Sequence, residues 1–149
     1  VSVCLAKGLG APIGSVLVGS AERLAEARVW RKRYGAGMRQ VGILAAAGRY
    51  ALDHHIERLA DDHARARRFA DSVAELGLGL IDPGSVETNI AMVDVTAAGR
   101  TPGEVSAALA ERSVRAYPVD SSRLRFVWHL DVDDAATDHA IEAVREVLA

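Results

Sequence analysis

A chain of 149 residues is long enough for one compact domain, or for one small domain and part of another. Its 18 Lys and Arg against 20 Asp and Glu leave a formal charge of -2, so neither nucleic acid nor an anionic membrane has an electrostatic claim on it. The single cysteine, Cys4, excludes an internal disulfide and the zinc spacings built from several cysteines, and points to a reducing, cytoplasmic setting.

The chain opens without Met on alternating Val1, Val3 and Leu5, which reads as a strand already under way and suggests a piece of a longer protein. Val1 to Ala6 is too short for a signal core, and no later stretch approaches a membrane span. Gly8 to Gly14 is a turn carrying Pro12, and Ser15 to Val18 reads as a second strand. Ser20 is placed to cap a helix over "AERLAEARVWRKR", which Gly35 and Gly37 stop after Arg33. From Met38 the run "MRQVGILAAAGRYALDH" is apolar on all sides, the pattern of a helix buried against neighbours. Ile56, Leu59, Ala60, His63, Ala66, Ala70, Val73 and Leu76 recur at three- and four-residue steps. They predict one long amphipathic helix with Glu57, Arg58, Asp61, Arg65 and Arg68 on its wet faces.

Gly77, Gly79, Pro83 and Gly84 mark a boundary. Beyond it the expected order is a strand over 89–95, a helix from Thr101 or Pro102 to Arg112, strands over 115–119 and 123–128, and a helix over 133–148. Thr101, Pro102 and Glu104 form a favourable helix start, because Thr caps and Pro fits the first turn. This half reads as a small α/β sandwich with antiparallel pairing in part. There is no internal repeat and no low-complexity segment.

Gly8, Gly10 and Gly14 follow a strand, but a dinucleotide fingerprint needs such glycines to open a helix, and here the residues are Ile13, Ser15, Val16, Leu17 and Val18, a strand-like run. A Walker A loop fails too, since Lys7 precedes the glycines. Two readings of Lys7 stay open on the residues alone. It is a solvated turn lysine, or it is a Schiff-base lysine. In the second case Ala6 and Gly8 admit a planar group, and an apolar strand end desolvates the amine. Alternation along the strand over 123–128 puts Arg123, Arg125 and Val127 on one face and Leu124, Phe126 and Trp128 on the other. Arg125 is then either a solvated surface arginine or a carboxylate fork.

The stretches "CLAKGLGAPIGSVLVG", "VWRKRYGAGMRQVGILAAAGRYAL", "ERLADDHARARRFA", "TNIAMVDV" and "RLRFVWHLDV" occur in this order. Together they resemble the C-terminal part of the low-specificity L-threonine aldolases, and the resemblance runs over essentially the whole chain. It implies an α/β, fold type I pyridoxal-phosphate enzyme of the aspartate-aminotransferase fold. Residues 1–52 would be the C-terminal part of the large cofactor-binding domain, 53–78 a long connecting helix, and 79–149 the small α/β domain. The implied reaction is cleavage of L-threonine, L-allo-threonine and related β-hydroxy-α-amino acids to glycine and an aldehyde. Other fold type I chemistry, β-elimination or transamination, and a non-catalytic role in assembly are the alternatives.

Residue by residue, the resemblance places Lys7 where the family has the lysine that carries pyridoxal 5'-phosphate. It places Arg39 and Lys32 among the basic positions around the cofactor phosphate and the mouth of the site, and Arg125 at the arginine that holds the substrate carboxylate. Read alone, Arg39 is a helix-start arginine within reach of Asp53 or Glu57, and Lys32 is part of a solvated helix face. His129 belongs to a His-x-Asp turn that orients the next helix start. His54, His55, His63 and His139 imply no metal, and His63 reads as a core histidine. Implied partners are an amino acid substrate and further copies of the same protein, as a dimer or tetramer; nucleic acid and membrane are not implied. Three departures stand out: Ala6 for a serine, Ala36 for a glycine, and Trp128 for a threonine, changes that bear on substrate scope and rate. The family's phosphate cup, ring-stacking aromatic and ring-nitrogen aspartate are expected upstream of Val1. The strands over 1–5 and 15–18 would belong to the fold's large mixed sheet, whose central strands are not in this chain, so residues 1 to about 50 are expected to pack poorly alone, while 85–149 forms a self-contained unit.

Overall fold

A computed structural model describes residues 1–148, which fall into two compact units, Val1–Glu57 and Arg58 onward. In the first unit, β1 (Ser2–Cys4) and β2 (Ser15–Leu17) form a two-stranded antiparallel ribbon that pairs Val3 with Val16. α1 (Ala21–Arg33) begins where Ser20 accepts the Arg23 N–H, and ends at Tyr34 and Gly35, the latter in the left-handed region. α2 (Gly42–His54) follows. It starts four residues later than the apolar run at Met38 suggests, because Gln40 adopts a positive φ of 52°, which a helix cannot contain.

This unit buries little. α1 has no buried residue, and α2 buries only Gly48 and Ala51, leaving Ile43 80% exposed. The all-round apolar character of α2 is therefore not matched by cover within the described residues. Leu5, Leu9 and Ala11 are the buried side chains of the segment that joins the two strands.

The second unit holds a contiguous core. α3 (Leu59–Ala74) is followed by a short 3-10 turn at Pro83–Ser85, β3 (Ile90–Asp94), a second 3-10 turn at Thr96–Ala98 and α4 (Pro102–Glu111). β4 (Tyr117–Pro118), β5 (Arg123–Val127) and α5 (Asp134–Leu148) complete it. β5 lies between β3 and β4, antiparallel to both, with Arg125 opposite Met92 on one side and Tyr117 on the other. α4 starts on a full capping box: the Glu104 N–H binds the Thr101 hydroxyl while the Glu104 carboxylate takes the Thr101 N–H at 2.9 Å. The burial of β5 alternates as its sequence does, with Leu124 and Phe126 inward and Arg123, Arg125 and Val127 outward. Phe69 of α3 meets Phe126 and Trp128 with ring centroids 4.6 and 5.1 Å away.

Three expectations change here. The amphipathic helix begins at Leu59 rather than Ile56 and ends at Ala74 rather than Leu76, and it packs against β3 and α5 within the second unit. Not all the charged positions read as wet are so: Arg58 and Arg65 are half-buried, Arg58 as a bidentate fork on the fully buried Asp62, with bonds of 2.6 and 3.1 Å, and Arg65 between Asp62 and Asp134. Trp128, read as a bulky change bearing on substrate scope, points into the core, where its indole N–H binds the Thr137 hydroxyl at 3.0 Å. Alternation from Arg125 puts it on the opposite face of the sheet.

Candidate active site

Lys7 sits in the turn that follows β1. The backbone of that turn is pinned: Leu5 N–H binds the Gly14 carbonyl at 2.9 Å, Ala11 N–H the Leu5 carbonyl at 3.0 Å, and Gly10 N–H the Lys7 carbonyl at 2.8 Å. Two further contacts clamp the turn to α2 and to the residue that caps its C-terminus. Gly48 approaches Leu5 so closely that a Cβ there would lie 3.0 Å from Leu5 Cδ1, and His55 Nδ1–H donates to the Leu9 carbonyl at 2.7 Å. Leu5 and Leu9 are thus anchored on either side of an exposed Lys7 between Ala6 and a half-buried Gly8. The strand end expected to bury the amine instead presents it. Sequence reasoning gave His55 no role; its function is to hold this turn, across 46 residues of sequence.

Lys32 lies in the last turn of α1, and its side chain folds over the loop that follows. A Cβ on Gly37 would stand 3.3 Å from Lys32 Cδ and 3.4 Å from Nζ. Gly35 needs its left-handed φ of 76°. Ala36, the departure from the glycine-rich pattern, follows the glycine whose left-handed φ the loop requires, and is itself exposed. Arg39 is exposed on the same loop, beside Gln40 with its positive φ. Strain of this kind in a non-glycine residue is tolerated where surrounding structure fixes it, and it concentrates at functional loops. Of the two acids that the alternative reading offered Arg39, Asp53 and Glu57, the first pairs instead with Arg49 at 3.6 Å.

Arg125 belongs to the second unit, and it contrasts with Arg123 two residues away on the same face. Arg123 is closed: its Nε and Nη2 bind Asp120 Oδ2 at 2.8 and 2.6 Å. The Arg123 fork, helped by the Ser122 N–H, holds the Asp120 carboxyl far below the usual carboxylate range, and Asp120 in turn raises Arg123. No acid pairs with Arg125 among the described residues; its guanidinium lies over the Tyr117 ring, 5.7 Å from the centroid. His129 binds the Asp131 N–H through Nδ1 at 3.4 Å, in keeping with a turn role. His63 is half-buried on α3. Among the described residues no group of three His, Cys, Asp or Glu could hold a metal ion, and no helix is long and apolar enough to cross a membrane.

A pinned turn that presents a primary amine and a sheet that presents an uncommitted arginine accompany a family match. The beta-eliminating lyase family model matches residues 1–98, and the chain belongs to that family. Its relatives narrow the class. It is 36% identical to the probable low-specificity L-threonine aldolase 2 of Arabidopsis thaliana over 148 residues, 99% of this chain and 42% of that protein. It is 42% identical to the low specificity L-threonine aldolase of Escherichia coli (strain K12) over 134 residues, 88% of this chain and 37% of that protein. The low-specificity L-threonine aldolase of Candida albicans is 33% identical over 148 residues, 99% of this chain and 38% of that protein. The chain therefore spans about two fifths of the length of these relatives.

Proposed function

We propose that this chain carries the cofactor lysine and the carboxylate-binding arginine of a pyridoxal-phosphate aldolase. Its reaction would be the cleavage of L-threonine, L-allo-threonine and related β-hydroxy-α-amino acids to glycine and an aldehyde. The observation that carries the reading is the Lys7 turn: an exposed amine on a backbone fixed by three hydrogen bonds and two contacts to α2 and its C-terminal cap, in a chain similar to named threonine aldolases. In the same reading the first unit is the C-terminal part of a fold type I large domain and the second is its small domain. The protein works in the cytoplasm as a homo-oligomer.

The chemistry of the donor set fits pyridoxal phosphate. Lys7 offers the amine that the cofactor's aldehyde requires, and its neighbours Ala6 and Gly8 are small. Lys32, in the last turn of α1, and Arg39, on the glycine-containing loop after it, supply cationic donors for the phosphate. When bound, the cofactor supplies the electron sink for cleavage of the Cα–Cβ bond. Arg125 contributes orientation, since two parallel N–H bonds to a carboxylate fix the amino acid in a plane that a lysine could not impose.

The test is chemical. The chain is mixed with pyridoxal phosphate, reduced with borohydride, digested and mapped by mass spectrometry. A stable adduct on the Lys7 peptide, absent in Lys7→Ala, is expected; labelling spread over surface amines and unchanged in Lys7→Ala would refute the assignment. The family's own description makes β-elimination the second reading. Product analysis with threonine separates the two, acetaldehyde and glycine against 2-oxobutanoate and ammonia.

A further inference from the structure

β5 presents two arginines on one face, and their surroundings differ in kind. Arg123 is committed to Asp120 through two short charge-assisted bonds. Arg125 has no acid opposite it on either neighbouring strand: its cross-strand partners are Met92 and Tyr117. Tyr117 is 67% exposed, so the core does not account for its presence. Its ring centroid is 5.7 Å from the Arg125 guanidinium carbon, within the range in which an aromatic face attracts a cation. Directly opposite residues of an antiparallel pair hold their Cβ atoms about 5 Å apart, which is what lets so short a strand as β4 deliver the ring.

We propose that Tyr117 is a positioning residue for Arg125, taking one face of the guanidinium and so directing its N–H edge toward a substrate carboxylate. The proposal rests on the reading of Arg125 given above and deepens it. The two demands on the guanidinium are compatible because they use different parts of it. A ring set against the guanidinium's π face leaves all five N–H donors in the plane and available. An unsupported arginine samples many rotamers, and ordering them costs free energy on binding; a ring that fixes the plane beforehand reduces that cost. Arg123 has its Nε–Nη2 edge already committed to Asp120.

The experiment uses the full chain with pyridoxal phosphate present, labelled with 15N-arginine. L-threonine is titrated in while the Arg125 Nε–H resonance, assigned by its loss in Arg125→Lys, is followed by NMR. Threonine amide, which lacks the carboxylate, is the control. Native chain is expected to respond to threonine and not to the amide. Tyr117→Leu is expected to shift the free-chain resonance and to weaken threonine binding about two- to fivefold, as loss of an exposed cation–π contact implies. Tyr117→Phe is expected to restore both, and all variants should keep the native melting temperature because the site is exposed. If Tyr117→Leu binds threonine as the native chain does, or Tyr117→Phe is as weak as Tyr117→Leu, the role of Tyr117 is overturned while the Arg125 reading stands. If the native chain gives no response, or responds equally to the amide, the carboxylate reading itself is overturned and the proposal goes with it.

Discussion

Asp61 and Asp62 are adjacent acids in the first turn of α3, and replacing either with alanine removes the same charge. The structure predicts opposite outcomes. Asp62 is fully buried and accepts two bonds from Arg58, at 2.6 and 3.1 Å, with Arg65 Nη1 3.8 Å from it on the other side. Removing one partner of a fully buried ion pair costs about 3–5 kcal/mol, chiefly because the other charge is stranded. Here the side chains of Arg58 and Arg65 keep 20% and 18% of their exposure, so water can reach them, and Arg65 retains its 3.0 Å bond to Asp134. These two reliefs bring the expected cost of Asp62→Ala to about 2–3 kcal/mol. For a unit of under about 100 residues that is a fall of about 10–20 °C in melting temperature. Asp61 is exposed, and losing its favourable place at a helix N-terminus, worth about 0.3–1 kcal/mol, is offset by the better helix propensity of alanine. Asp61→Ala should therefore stay within about 0.5 kcal/mol of the native chain. Circular dichroism melts of both variants check this, and equal losses in the two would refute the reasoning that burial and the double arginine fork, rather than helix-start charge, give Asp62 its weight.

Thr137→Val keeps the shape of the side chain but strands the buried Trp128 indole N–H, whose acceptor is the Thr137 hydroxyl. A loss of about 1–3 kcal/mol is expected from the urea midpoint at unchanged slope, and a loss below about 0.5 kcal/mol would show that the bond contributes nothing. Acid should destabilise the second unit in a definite window. Hydrogen bonds from Arg65 and from the Thr96 hydroxyl hold the Asp134 and Asp94 carboxyls, respectively, below their ordinary values. The unfolded chain then takes up protons first, so this stabilisation is complete above about pH 4 and is lost as the pH falls through the unfolded value toward the folded one. Urea midpoints should drop on acidification below about pH 4, and Arg65→Gln should remove part of that drop. Midpoints that rise between pH 4 and 3 would contradict the assignment. The Lys7 adduct and the Tyr117 titration complete the set.

What could be read ahead of the structure was whatever a few neighbouring residues decide. Thr101, Pro102 and Glu104 start a helix by contacts within one turn, and that helix begins there. Arg123 to Val127 alternates because a strand has period two, and its burial alternates with it. Helical periodicity placed only part of the apolar stripe: Ala66, Ala70 and Val73 are buried, but Ile56 is 50% exposed and the fully buried Phe69 lies outside the stripe. Arg58 and Arg65, read as wet, are half-buried against Asp62, an acid to which periodicity assigns no place, and only the packing of α3 in the second unit shows it. Trp128 carries two readings: as a larger group in place of a threonine it bears on substrate scope, while its parity with Phe126 assigns it to the core face, where it lies.

The site divides along the same line. A lysine before a glycine turn is visible locally, yet what holds that turn is Gly48 against Leu5 and His55 on the Leu9 carbonyl, contacts that depend on where α2 lies. Nothing in the residues around His55 announces them. The two arginines of β5 are more instructive, because the signal that separates them was present. Asp120 sits three residues before Arg123, and its carboxylate caps the Ser122 and Arg123 N–H groups at 2.9 Å each, a turn that Asp favours on its own. Such a turn commits the arginine that follows it. Alternation made Arg123 and Arg125 equivalent; the aspartate turn removes one of them from contention, and the strand register, which sets Tyr117 beside the other, specifies how the remaining guanidinium is presented.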